Sequence, residues 1–513
     1  MNKPFNVLDD PWIKVRYVDG RRATLSVYDC LKDARDIKEI LCPGNVHMET
    51  YAVHRFLIAL LVDAYKVRNM RQVRSLFEKG LDMDTLETYR SEYEKNGFSF
   101  DVFDKYRPFM QVPVGQVPKN LKTVPVATLG YGKKSGNNDL FYRLRERNLI
   151  KDAKTYQSAQ TMEIEEYIAM ILTVHFCAVA SGAGYSASVP TVGQPPMWFL
   201  NKGRNLYETL FLSMYPTSDD DVPMWRKANY LEKVEDVSGW LSLAFHPVRF
   251  VAPGDGFDGK TVKNVKFGRI QFNQMKDTVP HPSNLLGLWS KYEPFVAICT
   301  RTNQKTGESE TRPLRYNRNS AMWMCTYELY GCTWENVVSF NSAAPLIMNT
   351  AKMFSERGIP STQSIYVLTL TTQTEKEPCQ AVFDHFMSTA EWMFDDEAKE
   401  LIRDFVEFTK KVGGRFVSIV SEKGGVVKSV ESAELMKRTV FNEAGRYLVD
   451  VLLPNISTME REDAFDFVSD AFMGMVKGIE TERAVEKYSA YTHLGNAINK
   501  ILKDYTTEEE ETA

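Results

Sequence analysis

Alternation marks the start of the chain and helical spacing its end. Trp12-Ile13-Lys14-Val15-Arg16-Tyr17 alternates, Asp19-Gly20 supplies a tight turn, and Ala23-Thr24-Leu25-Ser26-Val27 returns, which predicts a hairpin. A helix is predicted from about Val46 to Tyr65, because Tyr51, His54, Leu57, Leu61 and Ala64 recur at helical spacing. Residues 98–160 are punctuated by Pro and Gly and read as loops. A second apolar helix, Ile164 to Ala180, runs into Ser181-Gly182-Ala183-Gly184-Tyr185-Ser186. Between Gly239 and Leu370 short strand-like runs alternate with turns. One hairpin there joins Phe295-Val296-Ala297-Ile298 to Arg312-Pro313-Leu314-Arg315-Tyr316 around Lys305-Thr306-Gly307.

After Glu377-Pro378 the period changes. Leu401, Phe405, Phe408 and Val412 share one helical face, as do Phe465, Val468, Phe472, Met475 and Ile479. With turns expected at Gly413-Gly414 and Pro454, roughly four helices fit between Ala381 and Leu502. The fold class expected is α+β: a large mixed α/β domain over residues 1–374, then an all-α four-helix bundle over 375–513. The acidic end, Glu508 to Glu511, is expected to be disordered.

A chain of 513 residues exceeds one core, and 43% hydrophobic with 25% charged residues is ordinary for a soluble protein. The most apolar stretch, Phe56 to Val62, is far too short to span a bilayer, and Met1-Asn2-Lys3-Pro4-Phe5 lacks the apolar segment of a signal peptide. A cytoplasmic protein without membrane contact is expected. The seven cysteines are scattered with no C-x-x-C pair, so reduced thiols are expected and a zinc ribbon is excluded.

Charge is uneven. Between Pro118 and Thr155 nine basic residues (Lys119, Lys122, Lys133, Lys134, Arg143, Arg145, Arg147, Lys151 and Lys154) face only Asp139, Glu146 and Asp152, in a chain of net charge -4. A cationic strip in acidic surroundings suits a polyanion, because Lys and Arg displace counterions from phosphates. A solvated basic loop has the same composition, and charge alone does not separate the two.

No catalytic motif stands out. The chain has no H-E-x-x-H and no G-x-S-x-G, and Gly132-Lys133-Lys134-Ser135 fails as a phosphate loop because Ala127 stands where the first glycine belongs. His47 and His54 lie seven apart on the first helix, a spacing that fits core-edge or surface roles better than metal binding. Asp395-Asp396-Glu397 is explained by a helix start. No enzyme, no metal and no cofactor are expected.

Several local sequences, kept in order along nearly the whole chain, resemble the CasA family, the large subunits of type I-E CRISPR surveillance complexes (Cascade). They are Leu8-Asp9-Asp10-Pro11-Trp12-Ile13-Lys14-Val15, Arg107-Pro108-Phe109-Met110-Gln111, Ser135-Gly136-Asn137-Asn138-Asp139-Leu140-Phe141, and Phe199-Leu200-Asn201-Lys202-Gly203-Arg204 leading into Leu206-Tyr207-Glu208-Thr209-Leu210. The resemblance implies a non-catalytic subunit that binds the other Cascade subunits, guide RNA and double-stranded target DNA. It also implies minor-groove reading of the protospacer-adjacent motif, help in starting strand separation, and docking of a recruited helicase-nuclease.

By the same resemblance Gly182, Ala183 and Gly184 form the groove-reading loop, where missing β-carbons let the backbone approach the groove floor. Family examples are richer in glycine than Gly182-Ala183-Gly184, which could also simply end the preceding helix. A groove-reaching lysine falls on Lys276, with a shorter spacing to His281-Pro282 than in the family, and Lys263 and Lys266 are rivals. A strand-separating glutamine falls on Gln380, at the opening of the helical domain, with Gln373 as alternative. Asn137, Asn138, Phe141 and Arg143 fall where the family meets the RNA handle, with Phe141 stacking on a base or anchoring its loop. The zinc-binding cysteines of some relatives are missing. Other readings are a nucleic-acid-binding scaffold of another complex and an enzyme with an unrecognised site.

Overall fold

A central helix, buried on every side, organises the first half of the molecule. The computed structural model describes residues 3–41, 47–111, 122–125, 137–138, 161–177, 181–182, 197–226, 238–242, 257–263, 266–269, 291–303, 309–314, 323–324, 338–343, 345–369, 381–389, 395–421 and 425–512. Contacts divide the chain into two compact units. The first comprises Met1–Cys299, Thr311–Tyr316 and Pro345–Thr389, and the second Thr300–Glu310, Asn317–Ala344 and Ala390–Ala513.

In the first unit, β1 (Ile13–Tyr17) lies between β2 (Arg22–Leu25) and β3 (Ile37–Ile40), antiparallel to both. Ile13, Val15 and Tyr17 point inward, and Gly20 takes the positive φ (90°) of the turn, so the expected hairpin is present. Ser26 caps the short α1 (Val27–Lys32) by accepting from Asp29 N at 3.0 Å. Then comes α2 (His47–Ala64), matching the predicted helix, with every residue from Glu49 to Ala64 buried. Two amphipathic helices that periodicity did not single out follow, α3 (Met70–Lys79) and α4 (Met83–Lys95). Their signal was in the caps, since Asn69 accepts from Gln72 N and Asp82 from Asp84 N.

Next along the chain are β4 (Lys122–Pro125), β5 (Asn137–Asn138), β6 (Thr161–Glu163), α5 (Ile164–Cys177) and β7 (Ser181–Gly182). They are followed by β8 (Met197–Lys202), α6 (Leu206–Leu212), β9 (Thr261–Lys263), β10 (Lys266–Arg269), β11 (Ile298–Asn303) and β12 (Ser309–Pro313). After β13 (Val338–Ala343) come α7 (Met348–Ser355), β14 (Ser361–Thr369) and β15 (Ala381–Thr389). β12, β11 and β13 form one sheet in that order, so the hairpin expected around Lys305-Thr306-Gly307 is present, paired over Ile298–Asn303 and Ser309–Pro313. β15, β14 and β8 form another, antiparallel throughout and backed by α2, with Tyr51 against Trp198 and Tyr366.

The second unit is mainly helical at its C-terminal end. Its helices are α8 (Asp396–Ser421), α9 (Val430–Tyr447), α10 (Arg461–Gly478) and α11 (Ala484–Thr512), and α8 packs against the other three. Asp395 caps α8 by accepting from Ala398 N, as expected of an acidic helix start. The expected faces meet: Phe408 stacks on Phe465 at 4.3 Å, and Phe416 and Phe441 close on Phe472. Trp323 Nε1 donates to Phe441 O at 2.9 Å, and its ring occupies the space above Gly445, where a β-carbon would come within 2.7 Å.

Four expectations fail here. Gly413-Gly414 is no turn, because α8 runs through it and Gly413 gives the Phe441 ring its seat (an added β-carbon would lie 2.7 Å away). Ala381–Thr389 is a strand, not a helix; its apolar spacing at Phe383, Phe386 and Met387 mimics a helix, but β14 offers a partner along all nine residues. The helical run therefore begins at Asp396, and the second unit takes in Thr300–Glu310 and Asn317–Ala344 besides Ala390–Ala513, where a single boundary after residue 374 was expected. The acidic end continues α11 to Thr512.

Candidate nucleic-acid interface

Short ladders bring together the segments singled out in the sequence. β5 pairs antiparallel with β7, setting Asn137 opposite Gly182 and Asn138 opposite Ser181. The backbone of the expected RNA-handle loop is thus hydrogen-bonded to the first glycine of the expected groove-reading loop. β6 pairs with β9, placing Lys263 opposite Thr161, and β4 pairs with β10, placing Lys266 opposite Pro125 and Arg269 opposite Lys122. The basic strip therefore begins on a strand whose partner carries further cations.

Helix α5 explains the arrangement. Ile164, Tyr167, Ile168, Ile171, Leu172 and Phe176 are buried, and the helix packs along α2. β6 precedes it directly and β7 follows it, so the ladders holding Lys263 and Gly182 attach to opposite ends of a helix about 21 Å long.

Helix α2 carries a buried ion pair. Arg55, on α2, donates two bonds to Glu293, at 2.5 and 2.7 Å, and one to Tyr51 Oη at 3.1 Å; both charged side chains are 0% exposed. The guanidinium also faces Phe176 at 5.3 Å, Phe295 at 5.1 Å and Trp240 at 5.7 Å. Burial opposes the Arg55 charge, and Glu293 and Tyr51 outweigh it, so its pKa rises. One residue thereby holds Phe176, near the end of α5 before β7, and Glu293, just after residues 270–290 that include Lys276. β14 and β15, which flank residues 370–380 with both candidate glutamines, rest on the same helix. Sequence reading missed this frame because Arg55 and Glu293 are 238 residues apart.

Only backbones of Asn137, Asn138 and Gly182 among the expected site residues are placed; Ala183, Gly184, Lys276, Gln380, Gln373, Phe141 and Arg143 lie outside the described residues. His54 is a core residue whose Nδ1 meets Thr50 O at 2.7 Å, and burial, with help from Lys202, pushes its pKa down to about 3. A groove of about 900 Å³ near α4 is lined by Asp63, Asp82, Asp84 and Glu92 against Lys66 and Arg226, the latter already paired with Asp63, so acidic groups outnumber the cations a phosphate would need. Among the described residues no group of His, Cys, Asp and Glu could hold a metal ion, and no helix is long and apolar enough to cross a membrane.

The sequence model of CRISPR-associated protein Cse1 matches residues 6–444. The chain belongs to the Cse1 family. A CasA/Cse1 protein of Thermus thermophilus is 31% identical over 227 residues, 43% of this chain and 42% of that one, so the alignment spans under half of the curated relative. The solved structure of Thermus thermophilus CasA (Cse1) superimposes with a TM-score of 0.67 at 16% identity, covering 97% of this chain and 99% of that one. Thermobifida fusca Cse1 gives 0.66 at 17% identity, covering 97% of each. A chain of a CRISPR RNA-guided surveillance complex gives 0.63 at 12% identity, over 97% of this chain and 98% of its own. These structural likenesses are likenesses of fold.

In this Cse1 chain the motifs that carried the resemblance are largely packing devices. Trp12 is fully buried and donates to Val7 O; Phe109 lies against Phe56 and Phe100. Gln111 donates to Val102 O and accepts from Tyr167 Oη, and Asn205 caps α6 through Glu208 N.

Proposed function

We propose that this Cse1 chain is a non-catalytic, cytoplasmic subunit of an RNA-guided CRISPR surveillance complex. In this reading Gly182, Ala183 and Gly184 approach the minor groove beside the target, with Lys276 reaching into it. Gln380, on the connection between β14 and β15, wedges the first base pairs apart. Asn137, Asn138, Phe141 and Arg143 hold the guide RNA. The helical region forms a four-helix bundle, and the chain docks other Cascade subunits and a separate helicase-nuclease.

The observation that carries this reading is the β5/β7 ladder, which pairs Asn137 and Asn138 of the expected RNA loop with Gly182 and Ser181 at the start of the expected glycine loop. A subunit that must hold a guide and sample DNA at one place needs that adjacency. Minor-groove acceptors are largely degenerate, so several flanking motifs should be tolerated, and base pairing would read the rest of the target.

The test is binding of the purified assembly to target DNA randomised in its flank. A flank preference is expected, and Gly182→Val should reduce it at least about tenfold, a difference near 1.4 kcal/mol, while guide RNA is retained. Equal affinity for every flank would overturn the reading.

A further inference from the structure

Residues 97–111 form a tightly closed loop with one large ring left outside. Asp101 Oδ1 accepts from Phe5 N and Phe103 N at 2.9 Å each, and Phe109 N donates back to Asp101 O. Asp104 Oδ1 accepts from both Tyr106 N and Arg107 N at 2.7 Å. Gln111 closes the other side on Val102 O, and buried Met110 is held at a φ of 52°, a conformation that persists only where its surroundings enforce it.

At the tip stand Lys105, Tyr106 and Arg107. Tyr106 is 70% exposed. Lys105 Nζ lies 5.1 Å from its ring centroid. Arg107 is fixed by a 2.7 Å bond to Gly97 O and lies over Phe98 at 5.2 Å. A rigid loop that presents an exposed aromatic ring with Lys105 against it, and Arg107 next in the chain but turned to Gly97 O and Phe98, has little conformational freedom left to lose on binding. That combination matches an unpaired nucleobase beside a phosphate: the exposed ring stacks, and Lys105 neutralises the backbone.

We propose that Tyr106, flanked by Lys105 and Arg107, is a stacking platform for an unpaired base of single-stranded RNA. The site is separate from the β5/β7 ladder and extends the proposed function, resting on its premise that the chain meets RNA.

The test is photocrosslinking of the full chain to single-stranded RNA carrying 5-iodouridine, with the crosslinked peptide identified by mass spectrometry. It is paired with affinity measurements on Tyr106→Phe, Tyr106→Leu and Tyr106→Ala. Crosslinking at Tyr106 is expected, with affinity kept within about twofold in Tyr106→Phe and weakened at least about fivefold in the other two. Thermal melts of each variant separate lost binding from lost folding. Arms with single-stranded and duplex DNA separate the sources. A loss confined to RNA, or shared with single-stranded DNA, sustains the platform; equal competition by duplex overturns it, because paired bases offer no free face. Unchanged affinity of Tyr106→Ala for RNA overturns it as well. That result would leave the proposed function standing wherever flank preference persists, and loss of flank preference alone would strike that reading instead.

Discussion

The two units hold themselves together by different means. The core of the first is threaded with directional polar pairs: Arg55 with Glu293, Asp63 with Tyr89 and Arg226, Asn201 with Leu212 O and Ile347 O. The helical core of the second is almost wholly aromatic and aliphatic, and its buried acid, Asp404, meets Arg403 and Arg461 at the edge. Polar pairs fix orientation at the risk of a large loss when one partner goes, whereas an apolar core responds to volume. The unit that carries the proposed contacts with RNA and DNA is the one fixed by orientation.

The sharpest way to break the contrast is Glu293→Ala, which strands the Arg55 charge in the interior. A loss of about 3–5 kcal/mol in denaturant unfolding is expected. A loss below about 1 kcal/mol would show that water reaches the pair.

Acid should act next. Neutral His54 is held in the core with a pKa of about 3, against 6.5 when unfolded, so between those values the unfolded chain binds the extra proton. That contribution is complete above pH 6.5 and is lost as pH falls toward 3, amounting to about 2 kcal/mol between pH 7 and pH 5. Comparing His54→Gln with the parent in pH-dependent melts isolates it, the variant showing the shallower slope.

Smallest is the response of two neighbouring glycines in α8. Gly413→Ala should destabilise by about 1–2 kcal/mol, since the new methyl meets the Phe441 ring. Gly414→Ala, with nothing within 4 Å, should stabilise by up to about 1 kcal/mol through helix propensity. Equal effects at both positions in chemical denaturation would remove volume as the governing quantity in that core.

Legibility followed the range of the forces involved. Helices α2 and α5, the hairpin β1/β2 and the faces of α8 and α10 are written in local periodicity and appear where it put them, whereas the β11/β12 hairpin turns where expected but pairs closer to its turn, over Ile298–Asn303 and Ser309–Pro313. Ala381–Thr389 misled because its spacing was ambiguous and only β14 decided it. Gly413 misled because a glycine marking a turn and one clearing space for Phe441 look alike without the ring. Of the site, Asn137 and Gly182 were named from resemblance, but their pairing is a contact between distant segments that no window of sequence contains. Arg55 escaped because an arginine among apolar neighbours reads as a surface residue until its carboxylate is seen.

The 238-residue separation of Arg55 from Glu293 also sets a clock on synthesis. At roughly 5–20 residues per second, a ribosome delivers the carboxylate about 10–50 s after the guanidinium. Until then α2 cannot be sealed inside the protein without an uncompensated cation, so its burial must wait for the chain beyond residue 293. A nascent chain arrested before that point would expose to chaperones a helix that the finished protein buries from Glu49 to Ala64.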